Sequence, residues 1–190
     1  MALLINKTQG WGFLHIPKTG GTSITKILEN QPGTQRVTGH DSIRRFENYN
    51  ELFIFTFVRN PFTRLVSAYF HGLRKGEHNY NFDEYIKKSN VTGLHLRPQT
   101  VYINSNSKEN TISYIGKYEN FETDLKFVLD KLNIKDYKIP HDNRNPIYDK
   151  HPNLNQEKYY KYFYTEDWMK DWVRERYKND FKQFNYELEI

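Results

Sequence analysis

Two short segments of this chain carry residues whose types and spacing suit the binding of phosphate-like anions. The first, Pro17-Lys18-Thr19-Gly20-Gly21-Thr22-Ser23, stands between a short apolar run at 11–16 and the helical pattern ITKILEN. A strand that feeds a glycine-containing turn and then a helix leaves backbone amides unpaired, and the helix dipole points its positive end at the same turn. Lys18 adds a full positive charge, while the hydroxyls of Thr22 and Ser23 add donors. The order differs from that of an ATP-binding loop, in which the lysine follows the glycines, because here Lys18 precedes them. It does not match G-x-G-x-x-G either. Taken alone, the turn also reads as a plain glycine turn whose helix is capped by the Thr22 or Ser23 hydroxyl.

The second segment carries Arg59, at the end of the apolar run 52–58, and Ser67, eight residues later in the next helix. In open parallel sheets ligands sit outside the carboxyl ends of the strands, which puts Arg59 on the same rim as Lys18. A guanidinium and a hydroxyl there can share one phosphate. Each residue alone has a plain alternative, Arg59 pairing a carboxylate and Ser67 buried on its helix. Both beside a phosphate-type turn favour the anion.

The elements that must position these residues follow from the hydrophobic pattern. Residues 11–16 (WGFLHI), 35–38 and 52–58 (LFIFTFV) read as strands, the last a near-continuous apolar run of the kind buried in parallel sheets. Asn60 as N-cap and Pro61 at the first helical position start a helix whose residues Phe62, Leu65, Val66, Tyr69 and Phe70 keep a helical period. Further along, 82–88 and 121–132 read as helices, 112–118 as a strand, and 97–103 as extended or turn-like. The stretch 76–110 is the least regular and is a candidate lid or substrate region. The loop 141–152 is rich in Asn, Pro and His, and the aromatic, charged tail 157–184 reads as one or two helices packed on the sheet. Alternating strands and helices imply an α/β fold with a central parallel sheet of about four or five strands flanked by helices.

The composition narrows the function classes. At 190 residues the chain is expected to form one domain. It has no cysteine, which excludes disulfides, thiolate metal sites and a cysteine nucleophile. No apolar run approaches the roughly 18 residues of a membrane span, and the N-terminal residues lack the pattern of a secretory signal, so a cytoplasmic protein is expected. The net charge of +5 is uneven, since residues 1–76 hold ten Lys/Arg against four Asp/Glu and the remainder eighteen against nineteen. An anionic partner is therefore expected on the first half. No dense basic stripe or known module points to nucleic acid.

FLHIPKTGGTSI resembles the 5′-phosphosulfate-binding loop of sulfotransferases, and FVRNPFTRLVSAYF resembles their 3′-phosphate-binding element, in the form found in the Golgi carbohydrate sulfotransferase group and its bacterial relatives. Weaker similarity continues through RPQTVYI, IGKYENFETDL and the DF-x-x-FNY tail. The resemblance implies a P-loop-like three-layer fold and 3′-phosphoadenosine 5′-phosphosulfate (PAPS) as donor, with 3′,5′-diphosphoadenosine as product. It assigns Lys18, Thr19, Gly20, Gly21, Thr22 and Ser23 to the 5′ side, and Arg59 and Ser67 to the 3′-phosphate. The acceptor it implies is a hydroxyl, foremost on a sugar. The absence of an anchor sets this chain apart from the Golgi members and suggests a bacterial or similarly cytosolic relative.

His40 follows a strand and a glycine, and in related carbohydrate sulfotransferases a histidine so placed deprotonates the acceptor. Its ordinary pKa suits proton removal near neutral pH. Asp41 is the rival base, and His15, inside a strand, reads as a core or supporting residue. Asn143 and Arg144 either close over the nucleotide, bind an anionic acceptor, or belong to a solvated loop. Tyr118 reads as core packing, with an approach to the adenine as the alternative.

Charge dictates the expected chemistry. A sulfuryl group in transfer carries less negative charge than a phosphoryl group, and positioning with electrostatics stabilises the loose transition states of both. One lysine and helix amides can then stand in place of a metal, and no carboxylate pair for magnesium is evident. Lys18 would neutralise the leaving oxygen and His40 would take the acceptor proton. The rivals are a nucleotide kinase of related fold, and a nucleotide- or polysaccharide-binding module without activity.

Overall fold

The run 52–58, apolar but for Thr56, forms β4 (Phe53–Val58), buried from Ile54 onward. Burial on both faces is what a continuous Phe/Ile/Val pattern predicts. The computed structural model describes residues 3–37, 51–88, 93–104, 112–139 and 159–190. The chain divides into two compact units, one of Met1–Arg59 with Gln99–Asp142 and one of Asn60–Pro98 with Asn143–Ile190.

The first unit holds the sheet. β1 (Leu3–Asn6), β2 (Trp11–Leu14), β3 (Gln35–Val37), β4 and β5 (Tyr114–Lys117) stand in the order β3-β1-β2-β4-β5. β2, β4 and β5 are parallel, in the register Phe13↔Phe55 and Val58↔Lys117. The parallel centre agrees with the alternating pattern, but β1 departs from it. Strand β1 pairs antiparallel with both β2 and β3, joined to β2 by a tight turn that closes at Gly10 with φ 72°.

One face of the sheet carries Trp11, Phe13, Phe55 and Phe57, a set two residues apart along each strand. Onto it pack Ile24, Ile27 and Leu28 of α1 (Gly21–Glu29) and Leu125, Val128 and Leu129 of α5 (Phe121–Lys131). Between them in sequence lies α4 (Thr100–Ile103), a single helical turn. Of the extended or turn-like reading of 97–103, the turn holds at 97–99, and the extended alternative gives way to a helical turn in which Thr100, Tyr102 and Ile103 are buried.

The second unit is helical and aromatic. It contains α2 (Pro61–Lys75), α3 (Phe82–Lys88), a 3-10 turn at Tyr159–Phe163, α6 (Asp167–Arg176) and α7 (Lys178–Phe184). Helix α2 starts as its sequence dictates, with Asn60 Oδ1 accepting from the Phe62 amide at 2.9 Å and Pro61 following the cap. It ends at Gly76, whose φ of 69° is the left-handed conformation that closes helices. Phe62 packs edge-on against Tyr164 and is tilted against Phe181, which gathers α2, the tail turn and α7 about one core. Buried hydroxyls find carbonyls, Tyr164 Oη donating to Phe62 O and Tyr177 Oη to Leu96 O, each at 2.9 Å. The tail helices thus share the core of α2. No helix among the described residues is long and apolar enough to cross a membrane.

Candidate active site

The segment after β2 turns within six residues, 15–20, and enters α1. Thr19 is wholly buried and its hydroxyl donates to Ile16 O at 2.9 Å, closing the turn from inside. Lys18 takes a left-handed backbone with φ 68°, a conformation that costs a non-glycine residue roughly 1–2 kcal/mol. Gly20 takes φ 83° and is the N-cap of α1. The N-cap is thus a glycine with no side chain, which corrects the expectation that Thr22 or Ser23 opens the helix. Gly20 O accepts from the Ser23 amide at 3.1 Å, and the helix itself offers no carbonyl to the amides of Gly21 and Thr22. Thr22 is exposed and Ser23 half-buried at the mouth of the turn.

Both glycines are fixed by close neighbours. A Cβ at Gly20 would lie 2.6 Å from Phe121 Cε2 and 3.2 Å from Tyr118 Cδ2. At Gly21 it would lie 2.1 Å from His15 Cδ2. His15, expected inside the strand, follows its last residue, half-buried with its ring stacked on Phe13 at 5.9 Å. The turn is therefore walled by rings on two sides.

Arg59, the residue after β4, reaches the same turn. Its Nη1 donates to Lys18 O at 3.4 Å, a long bond, and its guanidinium carbon stands 4.0 Å from the centroid of the Tyr118 ring. Arg59 is only 7% exposed, which makes the contact with the ring stronger than it would be in water. Tyr118 itself is 37% exposed, so core packing, the first reading of this residue, is corrected. Its place follows from the turn between β5 and α5, where Asp124 Oδ2 accepts from the Lys117 amide at 2.6 Å. The main chain of Arg59 is also held: Gln99 Oε1 accepts from its amide and Gln99 Nε2 donates to its carbonyl, each at 2.8 Å.

The structure thus brings together Lys18, Thr19, Gly20, Gly21, Thr22, Ser23 and Arg59, and adds Tyr118, Phe121 and Gln99. Ser67 belongs to the second unit, half-buried on α2. His40, Asp41, Asn143 and Arg144 lie outside the described residues, as do parts of 76–110 and the whole of 141–152. Gln99 escaped the sequence reading because a glutamine after a proline, directly before the run TVYI, carries no pattern.

Chemically, the arrangement offers helix amides, a lysine and a guanidinium around one glycine turn, a setting for an anion with more than one charged group. A model of the sulfotransferase family matches residues 1–187. No curated protein and no solved structure matches the chain.

Proposed function

The chain belongs to the sulfotransferase family, and from that membership we propose that it moves a sulfuryl group from PAPS to an acceptor hydroxyl, foremost on a carbohydrate. We read residues 1–190 as one sulfotransferase domain, since the family match runs through both units. The observation that carries the reading is the contact between Arg59 and the Lys18 turn. It supports a 5′ site at the turn with a second cation beside it, as a nucleotide with charged groups on both the 5′ and 3′ positions of its ribose would require.

The residues fit such a donor. The amides at the start of α1, with Lys18, Thr19, Gly20, Gly21, Thr22 and Ser23, would hold its 5′ side. Arg59 would hold the 3′-phosphate. Ser67 is assigned there by the resemblance of its motif alone. When bound, PAPS supplies an activated sulfuryl group whose sulfur–oxygen bond breaks as the acceptor oxygen attacks. Lys18 would stabilise the negative charge that develops on the departing oxygen, a role in which a fixed charge counts more in the transition state than in the ground state. His40 would take the proton of the acceptor hydroxyl. The mechanism asks for no metal, and the cytoplasm, where PAPS is made, is the compartment we assign.

Labelled PAPS offered with glycosides, nucleotide-linked sugars, lipid-linked sugars and simple alcohols, in EDTA, tests the reading. Label is expected on one acceptor class. Phosphate transfer from ATP that requires magnesium would make the protein a kinase, and diphosphate binding with no acceptor labelled would make it a binding module.

A further inference from the structure

We propose that Gln99 is the positioning residue for Arg59, fixing its backbone so that the guanidinium is already in place when a 3′-phosphate arrives; this rests on the PAPS reading above. Arg59 stands just beyond the sheet. The last register pair of β4 with β5 is Val58↔Lys117, and with β2 it is Leu14↔Thr56, so neither neighbouring strand supplies the next rung. Gln99 supplies it instead. A primary carboxamide has the donor and acceptor of a peptide group, and this one pairs with both main-chain groups of Arg59 at 2.8 Å.

Three features argue that the pairing is more than filler. Gln99 is 0% exposed, so no water competes for either bond. It is the N-cap of α4, yet its side chain forms no cap and is turned to Arg59. And the guanidinium end of Arg59 is set independently, by the Tyr118 ring at 4.0 Å and by Lys18 O. With backbone and side-chain tip both fixed, the ligand meets a cation whose rotamer freedom is already lost, and that pre-organisation appears as affinity for the group the cation touches. The effect should be confined to ligands carrying a 3′-phosphate.

The test compares binding of 3′,5′-diphosphoadenosine and of adenosine 5′-phosphate by calorimetry, in the full chain and in Gln99→Met, which keeps length and volume but neither hydrogen bond. The expected result is a loss of about tenfold or more for the diphosphate and less than about threefold for the monophosphate, the scale of one lost charge-assisted contact. In an Arg59→Ala background, Gln99→Met should change neither affinity further. If Gln99→Met does not fold, Gln99→Asn carries the same comparison: it keeps the carboxamide but, one methylene shorter, cannot reach both main-chain groups of Arg59. Equal losses for both ligands, or an undiminished preference for the diphosphate, would overturn the role of Gln99 and leave the PAPS reading standing. A wild-type protein with no preference for the diphosphate would overturn the PAPS reading itself, and this proposal with it.

Discussion

The guanidinium carbon of Arg59 lies 4.0 Å from the centroid of the Tyr118 ring, and the same ring borders Gly20 of the turn that carries Lys18. One aromatic side chain therefore touches both halves of the candidate site. Contacts of this kind contribute about 0.5–1 kcal/mol when exposed and about 2 kcal/mol when water is excluded.

Arg59→Ala is expected to weaken 3′,5′-diphosphoadenosine far more than adenosine 5′-phosphate, because the proposed charge-assisted contact would exist only where the 3′-phosphate does. Ser67→Ala should show the same selectivity more mildly, as one neutral donor is worth about 1 kcal/mol. Paired calorimetric titrations measure both. Equal losses for the two ligands would remove Arg59 from this role.

Lys18→Ala and His40→Ala should separate kinetically. The first is expected to lower turnover more than it raises the dissociation constant for PAPS, since in the proposed role its charge would act most as the leaving oxygen turns negative. The second should leave diphosphate binding nearly unchanged and slow transfer by roughly 10²–10⁴-fold, the span of a lost general base. Steady-state rates beside equilibrium titrations distinguish them, and a His40 variant with full activity would pass the role to Asp41.

Gly21→Ala places a methyl group against the His15 ring, 2.1 Å from Cδ2 and 2.7 Å from Cγ, too near the root of the side chain for a small rotation to clear it. A destabilisation of about 1–3 kcal/mol is expected from such overpacking. In the His15→Ala background the same substitution should cost much less. Denaturant midpoints of the four proteins complete the cycle, and strictly additive losses would show that the ring is not what excludes the methyl.

Burial pushes the Tyr177 hydroxyl up to about 12, and burial raises Tyr164 as well. A raised folded value means that the folded chain holds the phenol proton more tightly than the unfolded one. The resulting stability is whole below about pH 10, the unfolded value, and is lost as pH rises through about 12. Denaturant midpoints should fall between those limits. Tyr177→Phe should cost about 1 kcal/mol at pH 7, where the bond to Leu96 O is lost, and should flatten the alkaline decline. An unchanged decline in that variant would assign the effect elsewhere.

What the sequence disclosed is what short-range chemistry decides. Asn60 and Pro61 specify the start of α2 within three residues, and the apolar run before Arg59 specifies a buried strand ending at that residue. The Lys18 turn was legible for the same reason, as a strand, glycines and a helix in immediate succession. The cap of α1 was not, because the N-cap is Gly20, a left-handed glycine without a side chain, where a hydroxyl was expected. β1 was missed since four residues carry too little periodicity, and its antiparallel pairing depends on a partner strand rather than on its own sequence. Tyr118 and Gln99 contact Arg59 from about sixty and forty positions away in the chain, the range at which one-dimensional patterns lose their meaning.

The central claim, that this protein binds a nucleotide bearing phosphate at its 3′ end and does so without metal, is tested most directly by calorimetric titration with 3′,5′-diphosphoadenosine and with ATP, each in EDTA and again with magnesium. Tight binding of the diphosphate, unaltered by EDTA and well above that of ATP, is the predicted result. A preference for ATP that appears only with magnesium would contradict it.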